Sequence, residues 1–179
     1  MNCARFILCL AVGLWLTGCA TMTPNECKSA NWGDVGLRDG LEGKVLSVLN
    51  DRVKDCAEAQ VAVDTPRYLQ GRDQGLAQFC RIENAVPLGL NGKSYDGVCP
   101  ATVDAEFRRR FTVGRDVHTA RNELRTLENR RGAAEERLRS AANDDDRRRA
   151  RDALRDLDFE MRRARDRVRD AEWVLDRLR

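Results

Sequence analysis

The C-terminal third of the chain carries a long apolar repeat that restricts the fold more than any other feature. Its members are apolar or small, apart from one arginine, and recur at alternating spacings of three and four. The mean spacing of 3.5 residues is the coiled-coil period, so the pattern predicts two long helices. The repeat consists of Val117, Ala120, Leu124, Leu127, Arg131, Ala134, Leu138 and Ala141, then Ala150, Leu154, Leu157, Met161, Ala164, Val168, Ala171, Leu175 and Leu178.

A polar break at residues 143–146 sets the topology of these two helices. It reads Asn-Asp-Asp-Asp, and such residues cap a helix start, where negative charge is also favourable. If the chain folds back here, opposed repeat positions have numbers that sum to 291 or 292 in every layer. A continuous helix in an intermolecular coiled coil is the rival arrangement. The capped break favours an antiparallel helical hairpin (coiled coil) over residues 104–179.

The hairpin surface is rich in arginine but nearly balanced in charge. From residue 104 onward there are 22 Arg and no Lys, against 18 acidic residues. This balance favours a solvated, salt-bridged surface and leaves binding of an anionic ligand as an alternative. Phe159 and Trp173 lie off the repeat but two heptads apart, so they share a second face and are candidate partner contacts. Trp173, near the root of the hairpin, could instead pack on the preceding domain.

Among the first twenty residues, Arg5 is the only charge, residues 6–16 are apolar, and residues 16–19 read Leu-Thr-Gly-Cys. This segment resembles a bacterial lipoprotein signal. Eleven apolar residues are too few to cross a bilayer as a helix, whereas they suit a signal peptide. The resemblance implies a signal peptide over residues 1–18, cleavage before Cys19, and lipidation of Cys19. With Ala20 next, it further implies the outer membrane, facing the periplasm, and such an export route argues against a nucleic acid partner.

Four cysteines remain after the signal peptide and Cys19, and we expect them to form two disulfides. An even number in an exported chain favours disulfides. Zinc would favour closer cysteine pairs with nearby histidines, and the chain has one histidine, His118. Three connectivities are possible. The four residues are Cys27, Cys56, Cys80 and Cys99. Pairing neighbours along the chain closes the shortest loops, which favours Cys27–Cys56 with Cys80–Cys99.

Glycines spaced four apart mark the preceding region. Gly36 and Gly40 form one pair, Gly71 and Gly75 another, and each pair would share one helix face. Glycine within a helix costs about 1 kcal/mol relative to alanine, so the pairs predict helices that cross closely. Termination of short helices is the alternative. Residues 81–100 contain several prolines and glycines and predict a loop or a short hairpin.

These features together predict an all-α chain with four parts. After the signal peptide come a lipidated tether at residues 19–31, a small disulfide-linked helical domain at residues 32–103, and the hairpin. The small domain and its surroundings contain a characteristic succession of residues, namely Trp32, Gly36, Asp39, Gly40, Cys56, Tyr68, Gly71, Arg72, Gly75, Leu76, Phe79, Cys80, Gly89, Tyr95, Gly97, Val98, Cys99, Pro100 and Phe107. Over roughly residues 26–120 this succession resembles a family of bacterial lipoproteins known as domain of unknown function 2799.

That resemblance implies an envelope lipoprotein and no particular activity. We therefore expect a non-enzymatic protein, attached to the membrane through lipid, whose hairpin contacts an envelope protein. No catalytic, cofactor-binding or metal-binding residue is predicted. The alternatives are an anionic glycan or lipid binder, or an envelope hydrolase. A hydrolase would use carboxylates as acid and base, and its candidate residues are Asp34, Asp39, Asp73, Tyr95 and Asp96. The sequence leaves the oligomeric state open.

Overall fold

The computed structural model describes residues 21–178, and its regular structure there is helical throughout. This confirms the predicted all-α class. The predicted signal peptide and Cys19 lie outside the described residues. The elements are α1 (Pro24–Ser29), α2 (Trp32–Leu41), α3 (Ser47–Glu58), α4 (Thr65–Phe79), a 3₁₀ turn (Ile82–Asn84), α5 (Ala85–Leu90), α6 (Ala101–Ser140) and α7 (Asp144–Asp176).

The described chain divides into two compact units. The first unit contains residues 21–30 and 46–63, and so holds α1 and α3. A disulfide between Cys27 and Cys56 joins these two helices. The second unit contains residues 31–45 and 64–178, with the remaining helices.

The first unit shows that the predicted tether is ordered from residue 21 onward. Thr23 and Glu26 form a capping box at the start of α1, each accepting from the backbone N–H of the other. Asp55 on α3 accepts hydrogen bonds from Thr21 N at 2.6 Å and Thr21 Oγ1 at 2.7 Å. These hydrogen bonds lower the pKa of the Asp55 carboxyl. The predicted tether at residues 19–31 therefore contains a helix, and its polar residues cap that helix and bind α3.

In the second unit, α2 and α4 lie side by side and run in the same direction, with glycines at their contact. A Cβ atom on Gly36 would lie 2.0 Å from the Tyr68 carbonyl oxygen, and one on Gly71 would lie 2.0 Å from the Gly33 carbonyl oxygen. Any side chain would therefore separate the two helices. The predicted close crossing is confirmed.

A second glycine crossing joins α5 to α6. A Cβ atom on Gly89 would lie 2.3 Å from the Phe111 carbonyl oxygen, and one on Gly114 would lie 2.4 Å from the Val86 carbonyl oxygen. The prediction of a loop throughout residues 81–100 is wrong at residues 85–90. Pro87 falls in the first turn of α5, where its missing N–H removes no helical hydrogen bond, and packing on α6 stabilises a helix that contains glycine.

An apolar core follows from these crossings. Its buried side chains come from α4, α5, the loop before α6 and the first three turns of α6. They are Leu76, Phe79, Cys80, Ala85, Cys99, Phe107 and Phe111. The Cys80–Cys99 disulfide lies within this core. Together with the Cys27–Cys56 disulfide of the first unit, it completes the two predicted pairings. Helix α6 runs without interruption across the expected boundary at residue 104, because Phe107 and Phe111 belong to this core.

Beyond this core, α6 and α7 form the predicted antiparallel hairpin. Asn143 caps α7, its side-chain oxygen accepting from Asp146 N at 2.9 Å. The hairpin core buries Leu127 and Ala134 of α6 with Leu157, Met161 and Ala164 of α7. Ion pairs that cross the hairpin join Arg121 to Glu172 and Arg167 to Glu123, whose numbers sum to 293 and 290, close to the predicted 291 or 292, so the predicted register is confirmed.

Candidate functional site

Two aromatic side chains project from the hairpin into solvent. Phe159 and Trp173 are each 54% exposed. The guanidinium carbons of Arg162 and Arg163 lie 5.9 and 5.5 Å from the centre of the Phe159 ring, and that of Arg177 lies 3.7 Å from the Trp173 ring. Cation–π contacts at exposed sites contribute about 0.5–1 kcal/mol each. We call these five residues the outer aromatic face.

The apolar repeat of α7 explains why this face points away from α6. Phe159 lies two residues after Leu157, and Trp173 two residues before Leu175, and both leucines are buried. Two residues turn a helix by about 200°, so each aromatic ring lies opposite its buried neighbour. The alternative in which Trp173 packs on the preceding domain is wrong, since more than half of its side chain is exposed.

Ion pairs across the hairpin fix the position of this face relative to α6. Each joins an arginine of one helix to an acid of the other, and the partners are largely exposed. Exposed pairs contribute at most about 1 kcal/mol each, so they specify the register more than they stabilise the fold. The pairs are Arg121–Glu172 (2.6 Å), Arg167–Glu123 (2.6 Å), Arg130–Glu160 (3.2 Å) and Arg131–Asp158 (3.4 Å).

The small domain contains a buried polar cluster beside the α2–α4 crossing. Asp39 is fully buried and accepts a hydrogen bond from Tyr68 Oη at 2.8 Å. Lys44 Nζ lies 3.2 Å from the same carboxylate and 2.7 Å from Glu42, and the hydrogen bond to Glu42 raises the pKa of Lys44. Arg72 Nη2 donates to the Lys44 carbonyl at 2.8 Å. The cluster thereby links both helices to the turn that follows α2.

A second polar cluster secures the loop before α6. The Tyr95 hydroxyl donates to Asp104 and accepts from Cys99 N at 3.3 Å, and Arg108 pairs with Asp104 at 3.2 Å. Burial, and then the hydrogen bond to Asp104, raise the pKa of Tyr95 to about 12. The Tyr95 hydrogen bond lowers the pKa of Asp104. Because Cys99 is disulfide-bonded to Cys80, this cluster holds the loop against α6.

The five residues considered for a hydrolase do not share one cleft. Asp34, Asp73 and Asp96 are exposed, whereas Asp39 has no exposed surface. Tyr95 donates to Asp104 and to none of these acids. Within residues 21–178, the geometry therefore does not place two of these carboxylates on opposite sides of one substrate pocket.

An open groove of about 1110 Å³ lies in the small domain, and the sequence did not predict it. Its apolar surface comes from Leu41, Phe79 and Leu88, and its cations are Lys44, Arg81 and Lys93. One wall is formed by the 3₁₀ turn and α5. In sequence, Asn84 followed by Pro87 within one turn is a pattern typical of a helix start, although the Asn84 side chain forms no cap hydrogen bond in the structure.

Within residues 21–178, no helix is both long and apolar enough to cross a membrane, and no cluster of His, Cys, Asp or Glu is arranged to hold a metal. Searches of curated proteins and of solved structures found no match to the chain. A family model does match, from the N-cap of α2 to the residues just after Gly114. Residues 31–116 belong to the family described as protein of unknown function (DUF2799).

Proposed function

We propose that this chain is a lipid-anchored protein of the bacterial outer membrane, facing the periplasm, that binds an envelope protein through the outer aromatic face. Three properties of the chain support the cellular location. The N-terminal twenty residues resemble a lipoprotein signal that ends at Cys19. The family that residues 26–120 resemble is one of bacterial lipoproteins. The four cysteines after Cys19 form two disulfides, which persist in oxidising compartments.

The observation that carries the partner-binding proposal is the exposure of Phe159 and Trp173 among arginines. Aromatic residues and arginine are enriched in the centres of protein interfaces, where they contribute most of the binding free energy. A monomer would gain stability by burying such rings, yet both remain 54% exposed on a rigid helix. The regular hairpin presents them at fixed positions two heptads apart, as a binding surface requires.

Site-specific cross-linking in intact cells tests the partner-binding proposal. A photoreactive amino acid at position 159 should form one discrete adduct with an envelope protein, and Trp173→Ala should reduce its yield several-fold. The control position is Arg165, which is exposed on α7 and lies about 120° around the helix from Phe159. An identical adduct pattern at positions 159 and 165, unaffected by Trp173→Ala, would contradict the proposal.

The lipid anchor has its own test. Cys19→Ser should move the protein from the membrane fraction to the soluble fraction and remove the acyl mass from the mature chain. Cys9→Ser is the matched control, because Cys9 lies within the predicted signal peptide. If Cys19→Ser leaves the protein in the membrane fraction with unchanged mass, the anchor is not at this residue.

The groove of the small domain favours a second candidate function, the binding of an anionic amphiphile. Arg81 and Lys93 line the groove beside apolar Leu41 and Leu88, and neither cation forms an ion pair within residues 21–178. The groove also contains Glu42, which pairs with Lys44, and Glu83, so two cations remain against one acid. A ligand with an acidic head and an apolar tail would contact both kinds of surface. Its affinity should fall as salt rises and should fall further on Arg81→Gln. Salt-independent binding would contradict this assignment.

A further inference from the structure

A second surface of the hairpin has the properties of a self-association interface. Two cavities of about 530 and 330 Å³ lie near the hairpin tip and share Ala134, Arg137 and Ala153. Together they form one continuous depression between α6 and α7, which we call the alanine groove. Its small members are Ala133, Ala134, Ser140, Ala141, Ala142, Ala150 and Ala153.

The alanine groove is distinct from the outer aromatic face. Neither Phe159 nor Trp173 lines it. Side chains as small as alanine allow another helix to approach to about 8 Å between axes, the lower end of the range for packed helices. The groove therefore leaves room for another helix along its small residues, and it leaves the outer aromatic face accessible.

Charge at the alanine groove indicates which helix it accommodates. At one end Arg130 pairs with Glu160 at 3.2 Å, and at the other Arg149 pairs with Asp146 at 2.5 Å. Between these pairs lie Arg137 and Asp156, which have opposite charges and form no ion pair within residues 21–178. A partner for this surface must offer an acid opposite Arg137 and a cation opposite Asp156.

A second copy of this chain meets that requirement. The numbers 137 and 156 sum to 293, against 291 or 292 for opposed core positions, so these residues lie at almost the same height along the hairpin. When two hairpins face each other about a two-fold axis parallel to the helices, α6 of each copy lies against α7 of the other. Arg137 of each copy then faces Asp156 of the other, and both ion pairs form at once.

We propose that the chain forms a two-fold symmetric homodimer through the alanine groove. The alanine groove itself is about 20 Å long and two helices, or about 20 Å, wide, which gives about 400 Å² per copy. When the contact continues along the same face toward residue 117, a length of about 35 Å, it reaches about 700 Å² per copy, close to the ~800 Å² per partner of a standard protein interface. In this arrangement both hairpin tips point the same way, as they would in two chains anchored to one bilayer.

Charge exchange at this pair tests the dimer. The full chain, purified in detergent micelles, should sediment as a dimer. Arg137→Glu and Asp156→Arg should each weaken dimerisation on the order of tenfold or more, because each places two like-charged pairs in the interface. Mixing the two single variants in equal amounts should restore association, because both contacts again join opposite charges. The double variant should restore it as well.

Arg151→Glu is the matched control. Arg151 is exposed on α7, forms no ion pair within residues 21–178, and does not line the alanine groove. Its reversal should leave dimerisation unchanged. Circular dichroism should show equal helix content in all variants, which separates lost association from lost folding. A monomeric wild-type chain, a dimer indifferent to both reversals, or a mixture that fails to associate would overturn the proposal.

Discussion

The glycine crossings, α2 with α4 and α5 with α6, and the hairpin of α6 with α7 hold helices together by opposite means. Helix α6 takes part in both kinds of contact. In the first, backbone meets backbone, with carbonyl oxygens where the Cβ atoms of Gly36, Gly71, Gly89 and Gly114 would lie. In the second, side chains interdigitate along a repeat and ion pairs fix the register. The first arrangement admits few side-chain changes at its contacts, whereas the second tolerates many exchanges of similar size.

The extent of the family match follows this difference. It covers residues 31–116, from the cap of α2 to two residues beyond Gly114, which is the last glycine in a close crossing. Residues 117–178 fall outside it. A core built on backbone contact imposes specific residues at specific positions and is recognisable as a pattern. A coiled coil imposes only a period, which unrelated sequences also satisfy.

The largest difference between the two regions should appear when a methyl group is added to Gly36. Gly36→Ala places a Cβ atom 2.0 Å from a backbone oxygen of α4, so α2 and α4 must separate. We expect a loss of about 3 kcal/mol in the free energy of unfolding, measured by urea denaturation. Gly33→Ala is the control in the same helix, because its Cβ atom would meet no atom closer than 3.4 Å. Equal stabilities of the two variants would contradict backbone contact as the basis of this crossing.

The disulfides should sharpen the same contrast. Replacing Cys80 and Cys99 by serine opens a link across 19 residues and should cost roughly 3 kcal/mol in the chain-entropy description. The hairpin beyond residue 117 contains no cysteine. Hydrogen exchange should therefore accelerate in α4 and α5 more than in the middle of α7. Uniform acceleration along the chain would show that the hairpin depends on the core for its stability.

The sequence predicted the hairpin in more detail than it predicted the core, for a physical reason. Alternating spacings determine both the helices and their register, so the opposed positions follow from the chain alone. Helix α5 was missed because six residues containing Pro87 and Gly89 have low helical propensity, and only contact with α6 stabilises them. The groove beside it was missed for the same reason. Phe159 and Trp173 were identified because departure from the repeat is visible in sequence.

Gly132 provides the smaller test of the comparison. It is a helical glycine on the hairpin, and a Cβ atom there would meet nothing within 4 Å. Gly132→Ala should raise the free energy of unfolding by about 1 kcal/mol, the usual gain from replacing glycine in an exposed helix. A loss of stability instead would mean that another chain approaches the backbone at this position.

A last comparison concerns alkaline pH, at which the two regions should separate. The pKa of Tyr95 is raised to about 12, because burial and the Asp104 hydrogen bond favour the neutral phenol. A group whose pKa is raised on folding stabilises fully below its unfolded value, about 10 for tyrosine, and loses this contribution as pH rises through the folded value. The free energy of unfolding should therefore decline between pH about 10 and 12. Urea denaturation at successive pH values measures this decline.

Tyr95→Phe separates this titration from other alkaline effects. Phenylalanine keeps the ring that packs 4.7 Å from Phe107 and 5.7 Å from Phe111, and removes only the hydroxyl. The variant should lose part of the alkaline decline, and its absorbance titration should lack one of the two tyrosines. Residues 117–178 contain no tyrosine, and their arginines stay charged in this range, so hydrogen exchange in the middle of α7 should change less than in α4. An equal alkaline decline in variant and wild type would assign the effect to another group.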